Sequence, residues 1–257
     1  MLRLAIISSP RSGNTWLRHL LSSIYGLEPV LAFSPAGVDW DSIPDRCLLQ
    51  THWHRTDDFL KLLARHDFRV VALARHPLDL LLSILQFAAH EPLTARWLEG
   101  EGGDESSIVG ARPRSPEFVQ YATSRRAVAL LSVTSQWWRS PGCWSLRYRD
   151  LVADPSGQLG RLDEALGGAR ERRTTIADAV AANTLQRLRP TSGNRHFWQG
   201  RPALWRELLT AAEARRIADA HRAAFEQPGF EVDPDPALDG RQADANWDRL
   251  TSVKAAS

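Results

Sequence analysis

Two short runs hold the residues whose types and spacing could do chemistry. Ser8-Ser9-Pro10-Arg11-Ser12-Gly13-Asn14-Thr15 follows the nearly all-apolar stretch Leu2–Ile7 and precedes a helical pattern. A buried strand, a Gly-containing turn and a helix start together cradle anions, because the first N–H groups of a helix lack intrahelical partners and carry partial positive charge. The second run, Arg69-Val70-Val71-Ala72-Leu73-Ala74, is another apolar strand; it ends in Arg75 and His76, and Ser83 lies further along.

Laid against the nucleotide-triphosphatase pattern GxxxxGK[ST], the first run has Ser8 at the first Gly and Asn14 at the Lys. Such enzymes also end a later strand in Asp to hold Mg²⁺; here that strand ends in Arg75. A cation at this point favours a second anion over a metal. Two strand ends then offer two anion sites at the carboxyl edge of one sheet, where such folds bind ligands. That arrangement suits a nucleotide phosphorylated at two places and used without Mg²⁺. A plain strand–helix turn, with Arg75 as a surface ion-pair partner, explains either run alone but not the two together with Ser83. A Mg²⁺-dependent phosphotransferase or NTPase of the same general fold is the rival enzyme, and Asp57 and Asp79 are the nearby carboxylates it would need.

The elements that position these residues read as alternating strands and helices. After the helix that begins near Asn14, with Leu17, Leu20, Leu21 and Ile24 on one face and Gly26 at its end, residues 27–45 carry three prolines and read as a long loop. Cys47–Gln50 is a second short strand. Thr56 or Asp57 caps a helix to about Arg65, and Pro77 opens a helix after the third strand. Residues 99–116 are polar and Gly-rich, a mobile insertion by composition. One helix is expected over 116–138, a fourth strand around Trp144–Tyr148, a capped start at Asp154-Pro155, and a capping box at Thr210–Glu213 opening a last long helix to about Glu226. The expectation is a three-layer α/β fold, a mainly parallel sheet flanked by helices and P-loop-like at its first turn. Residues 1–230 form its domain, and 231–257 a loose polar tail in which Trp247 could dock.

Composition narrows the function classes. The chain has 257 residues, 43% of them hydrophobic, which supports a sizeable core. No run of about 18 apolar residues offers a membrane span, and the strand-like start at Leu2 argues against a cleavable leader. The net charge of +2 is far too weak to argue for a nucleic-acid partner. Lys occurs only at 61 and 254, so almost every cation is Arg, the better bidentate partner of phosphate and sulfate oxygens. Cys47 and Cys143 make no disulfide framework and read as the buried thiols of a cytoplasmic protein. No CxxC, HxxxH or HExxH occurs, so no protein-bound metal is expected.

Pro10–Leu17 resembles the 5′-phosphosulfate loop of the sulfotransferases that use 3′-phosphoadenosine 5′-phosphosulfate (PAPS). Val70–Pro77 with Ser83 resembles their 3′-phosphate motif. Tyr148-Arg149-Asp150-Leu151, followed by Asp154-Pro155, resembles their Tyr-Glu-Asp-Leu segment near the adenine. Gly193–Leu209, with Gly200 and Trp205, resembles the C-terminal Arg-Lys-Gly…Trp segment that closes over the nucleotide. In order and spacing the resemblance covers roughly residues 3–225. It implies that Arg11 binds the 5′-phosphosulfate and stabilises charge on the leaving oxygen, helped by the backbone N–H groups of Ser12, Gly13, Asn14, Thr15 and Trp16 and by the Thr15 hydroxyl. It implies that Arg75 and Ser83 take the 3′-phosphate, that Tyr148, Trp16 and Thr184 sit by the adenine, and that Gly200 and Arg201 approach the 3′-phosphate. The chain departs from the family's pattern in carrying Arg11 where many members have Lys, and Trp198-Gln199-Gly200 where the family has Arg-Lys-Gly, with Arg195 or Arg201 as the replacement cation.

Sulfuryl transfer to a hydroxyl needs a general base within reach of the acceptor proton. The family's Lys-Thr-His after the second strand corresponds to Gln50-Thr51-His52, which makes His52 the expected base. His54 and the carboxylate of Asp57 compete for the role. Trp137, Trp138, Trp144 and Trp198 either line an acceptor pocket or belong to the core, and the core is the commoner place for such residues. The expected function is transfer of the sulfuryl group from PAPS to an acceptor hydroxyl without metal, leaving adenosine 3′,5′-bisphosphate; a relative that binds the nucleotide without turnover is the further alternative.

Overall fold

The computed structural model describes residues 1–91, 94, 96–98, 101–188 and 197–252. In chain order the strands are β1 (Leu2–Ile7), β2 (Glu28–Leu31), β3 (Arg46–Thr51), β4 (Phe68–Ala74) and β5 (Cys143–Arg147). The helices are α1 (Asn14–Tyr25), α2 (Asp57–Arg65), α3 (Pro77–Ala88), α4 (Pro116–Ala122), α5 (Arg125–Trp137), α6 (Tyr148–Ala153), α7 (Pro155–Ala165), α8 (Ile176–Ala182), α9 (Leu185–Leu188), α10 (Trp205–Leu208), α11 (Ala211–Asp219), α12 (Arg222–Glu226) and α13 (Gly240–Ser252). The described chain divides into two compact units. The first is Met1–Arg75 with Ser132–Gly200, and the second is His76–Leu131 with Arg201–Ser257.

The first unit is built on one sheet of order β2-β3-β1-β4-β5, parallel at every pairing. The α/β expectation holds. A parallel strand covered on both faces should be apolar throughout, and β1 is at every position but Arg3. Leu2, Leu4 and Ile6 join Leu17, Leu20, Leu21 and Ile24 of α1 and Leu159 and Leu162 of α7 in one cluster, while Ala5 and Ile7 face the other way. On that side Phe59 of α2 packs edge-on against Trp53 and Trp137. Helix ends follow the sequence signals. Gly26 caps α1 in the left-handed conformation, Thr56 Oγ1 accepts from the Phe59 N–H, and Asp154 accepts from the Gly157 N–H.

Three expectations were too coarse. The Pro-rich stretch 27–45 contains β2, an edge strand whose Pro29 needs no donor on its outer side. The helix expected over 116–138 is two helices. Thr123 Oγ1 bonds back to the Val119 carbonyl and Ser124 Oγ accepts from the Ala127 N–H, so the Thr-Ser pair ends one helix and caps the next. The helix expected to reach Glu226 breaks after Asp219 and resumes at Arg222.

The second unit also revises two readings of looseness. Residues 240–252 are helical. Trp247 is buried, Asn246 Nδ2 donates to the Glu207 carbonyl at 2.9 Å, and Arg114 and Arg112 pair with Asp244 and Asp248. The described part of the Gly-rich insertion is pinned from within. Arg126, itself buried, donates to the carbonyls of Thr94, Leu98 and Glu101 and pairs with the buried Glu105 carboxylate at 2.8 Å, and Tyr121 donates to the same carboxylate. Composition predicts a solvated loop there; one fully engaged guanidinium overrides it. Removing one partner of such a pair leaves a buried charge alone, so Arg126→Ala should lose about 3–5 kcal/mol in urea unfolding; a loss within experimental error would mean that Glu105 is neutral or wet.

Candidate functional site

Parallel register brings four strand ends to one edge of the sheet. Ile7 pairs with Thr51 and with Ala72, and Ala74 pairs with Arg147. The residues that follow are the Ser8–Gly13 loop after β1, His52 after β3, Arg75 after β4 and Tyr148 after β5. The chain visits β2 and β3 on one side of β1 and then crosses to β4 on the other, so this is the edge where a doubly wound sheet opens a ligand crevice.

The loop is rigidly held. Ser9 N–H donates to Thr134 Oγ1 at 2.8 Å, and the Ser9 and Thr134 hydroxyls are 3.0 Å apart. Arg11 has φ +66°, a left-handed backbone that costs a non-glycine residue free energy and persists only where its surroundings impose it. Arg75 supplies part of that restraint, since its Nη1 donates to the Arg11 carbonyl at 3.0 Å. Gly13, with φ +103°, has no Cβ for a reason visible in the packing: one placed there would lie 2.6 Å from the Tyr148 ring. The first turn of α1 has no side-chain cap and no acidic residue, so the helix itself supplies nothing to offset the partial positive charge of its first N–H groups.

Tyr148 is the hub of the second layer. Its ring lies edge-on to Trp16 with centroids 6.1 Å apart, the Arg75 guanidinium carbon stands 5.1 Å from its centroid, and its hydroxyl donates to the Gly200 carbonyl at 2.7 Å. Gly200 is left-handed, and a Cβ there would meet Leu185 at 2.5 Å. Trp16 Nε1 donates to the Asn183 carbonyl at 2.8 Å, next to Thr184, whose hydroxyl accepts from the Arg187 N–H and so caps α9.

The electrostatics are those of a site short of negative charge. Burial, then the charge of Arg75, lowers the Arg11 pKa to about 9; the guanidinium remains protonated at neutral pH. Ser12 Oγ and Arg75 Nε are buried and have no hydrogen-bond partner among the described residues. His52 Nδ1 lies 2.8 Å from the Ser8 carbonyl, which only accepts, so Nδ1 carries the proton and Nε2 the lone pair. Burial chiefly, with Arg11 adding to it, lowers the His52 pKa to about 4, so the imidazole is neutral at pH 7. His54 Nε2 contacts Ser132 Oγ instead.

The first unit thus brings together Arg11, Ser12, Gly13, Asn14, Thr15, Trp16, His52, Arg75, Tyr148, Thr184 and Gly200. Ser83 and Arg201 belong to the second unit, where Ser83 is buried on α3 and Arg201 pairs with Glu207, one bond being 2.7 Å. Gly193 and Arg195 lie outside the described residues. One of the two carboxylates that a Mg²⁺ enzyme would enlist is engaged elsewhere. Asp79 accepts from the Ala203 and Trp205 N–H groups, and Asp57 stands in the first turn of α2. Trp137 is core, its Nε1 donating to the Trp53 carbonyl. Sequence reading missed Thr134 and the Asn183 carbonyl, because contacts made through one hydroxyl and one backbone oxygen leave no pattern. It treated Ser8 only as a missing glycine.

No family model and no curated protein matches this chain. Solved structures do. Mouse sulfotransferase SULT7A1 complexed with PAP aligns at TM-score 0.63 and 14% identity, covering 85% of this chain and 82% of that one. Retinol dehydratase in complex with androsterone and inactive cofactor PAP aligns at 0.59 and 13%, covering 92% and 83%. Retinol dehydratase with retinol and PAP aligns at 0.59 and 14%, covering 90% and 83%. The chain has the sulfotransferase-like fold. Among the described residues no helix is long and apolar enough to cross a membrane.

The His52 shift has a sign that can be checked. Between about pH 6.5 and pH 4 the unfolded chain protonates this imidazole and the folded one does not, so the term is absent above that window and destabilises increasingly as pH falls through it. His52→Gln should therefore lose less stability than the wild type between about pH 7 and pH 5 in urea unfolding. Identical pH dependence in the two proteins would mean that the ring is as solvated folded as unfolded.

Proposed function

We propose that this chain is a cytoplasmic PAPS-dependent sulfotransferase acting on an acceptor hydroxyl. One observation carries the reading: two guanidinium groups, Arg11 and Arg75, stand with a neutral, Nδ1-protonated His52 at the same edge of one parallel sheet. The bare helix start, the buried Ser12 hydroxyl and the Tyr148 platform against Gly13 fit a nucleotide with phosphate at two positions.

When bound, PAPS supplies the activated sulfuryl group and leaves as adenosine 3′,5′-bisphosphate. The N–H groups of Ser12 through Trp16, with the Thr15 hydroxyl, hold the 5′-phosphate. Arg11 stabilises the charge that develops on the bridging oxygen as the sulfur–oxygen bond to phosphate breaks. His52 Nε2 takes the proton of the acceptor hydroxyl as its oxygen bonds to sulfur. Arg75 holds the 3′-phosphate, and Tyr148 with Trp16 and Thr184 borders the base. The resemblance adds Ser83, Gly200 and Arg201 to the 3′-phosphate. Fixed cations and N–H dipoles do the work that a metal does in phosphoryl-transfer enzymes, so the reading includes no metal.

The test is transfer of label from [³⁵S]PAPS across phenols, sugars and lipid-linked glycans. His52→Ala should lower transfer by about 10²–10⁴-fold and leave adenosine 3′,5′-bisphosphate binding intact in calorimetry. Unchanged transfer would remove His52 as base, and ATP binding more tightly than the bisphosphate would favour a phosphotransferase. Arg75→Ala should weaken the bisphosphate by about 1.5–3 kcal/mol, the value of a hydrogen bond to a charged group, and adenosine 5′-phosphate much less; equal losses for both would place Arg75 away from the 3′-phosphate.

A further inference from the structure

Ser8 is fully buried, and it touches the imidazole side of the site twice. Its carbonyl accepts from His52 Nδ1 at 2.8 Å. Its hydroxyl donates to Asn14 Oδ1 in a short hydrogen bond. The Asn14 amide nitrogen then points at the Ser9 carbonyl, 3.5 Å away, and lies 3.4 Å from His52 Nδ1. Asn14 is itself buried, so neither end of its amide can exchange its partner for bulk water without cost.

An imidazole beside a carboxamide has two ways to bond. If the amide oxygen faced Nδ1, it would compete with the Ser8 carbonyl for the Nδ1 proton. If the amide nitrogen bonded to Nδ1 as a donor, the ring would have to carry its proton on Nε2, where a base needs a lone pair. The Ser8 hydroxyl takes up the amide oxygen and so excludes the first arrangement. The Ser8 carbonyl, closer and better placed than the amide nitrogen, takes up the Nδ1 proton and so excludes the second.

We infer that Ser8 is a positioning residue: its carbonyl fixes His52 in the tautomer with Nε2 unprotonated, and its hydroxyl, by holding the Asn14 amide oxygen, keeps that oxygen from reaching Nδ1 as a second acceptor. The inference rests on the reading of His52 as the base, but the tautomer exists whether or not the protein turns over. The charged group acting on the ring from the same loop is Arg11, and it disfavours the imidazolium without choosing between the two nitrogens. Ser8 supplies that choice. In sequence terms the position where a nucleotide-triphosphatase loop has glycine carries a side chain because it has this task.

The test is ¹⁵N NMR of histidine-labelled full-length protein, with the His52 signals assigned by their loss in His52→Gln. Wild type at neutral pH should show a protonated Nδ1 and an unprotonated Nε2; a protonated Nε2 overturns the inference without any mutation. Ser8→Ala removes the hydroxyl and keeps the carbonyl. It should release the Asn14 amide, let its oxygen turn to Nδ1 as a second acceptor, and raise the His52 titration midpoint with Nδ1 still protonated. An unmoved midpoint in a folded Ser8→Ala protein would show that the hydroxyl has no part. Asn14→Asp offers an acceptor in place of the amide. It should raise the His52 titration midpoint by more than about one pH unit and move the acid limb of the kcat profile with it, which a merely structural residue would not do. A midpoint that stays in place would overturn the link through Asn14. A wild-type spectrum of the expected tautomer in a protein that transfers no sulfuryl group from PAPS would instead defeat the proposed function and leave the role of Ser8 standing.

Discussion

Two like charges held side by side govern this structure. Arg11 and Arg75 repel one another, and each is partly removed from water, which is why the Arg11 guanidinium is pushed down so far. The fold holds them side by side through other contacts. Arg75 grips the backbone of the residue it repels, and its own face lies over the Tyr148 ring. A site that concentrates positive charge and spends backbone strain at Arg11 to do so is organised for an anion, and the rest of the sheet edge is arranged around that demand.

The parts of the fold legible in the sequence were those written in local periodicity. The apolar runs of β1 and β4, the leucine face of α1, and the caps at Gly26, Thr56 and Asp154 all stand where residue type alone puts them. The strand–turn–helix unit from β1 to α1 was legible for the same reason, since its three parts are contiguous in sequence. Elements fixed by distant contacts were not. β2 is a strand because β3 lies beside it, and nothing within the Pro-rich stretch 27–45 says so. The Gly-rich insertion reads as mobile until Arg126, distant in sequence, is seen to fill it with donors. α13 is amphipathic but polar on average, and its docking depends on one tryptophan and on side-chain bonds from Arg112, Arg114 and Asn246.

The site divides along the same line. His52, Arg11 and Arg75 could be placed because each sits at a strand end, and strand ends in a parallel sheet share an edge. The sequence could not show that Tyr148 would be pressed into the space left by Gly13, or that one serine would hold both the histidine and the asparagine. These are contacts of shape and of backbone atoms, and a residue alphabet records neither.

Each chemical group at this edge leaves a different strand, and neighbouring strands are locked in register by their own hydrogen bonds. The crossovers between them therefore carry no responsibility for the spacing of guanidinium, imidazole and phenol. Residues 27–45 can lengthen, shorten or change character without moving Arg11 against His52, provided β3 keeps its pairing with β1. The scaffold separates what must stay constant from what can diversify.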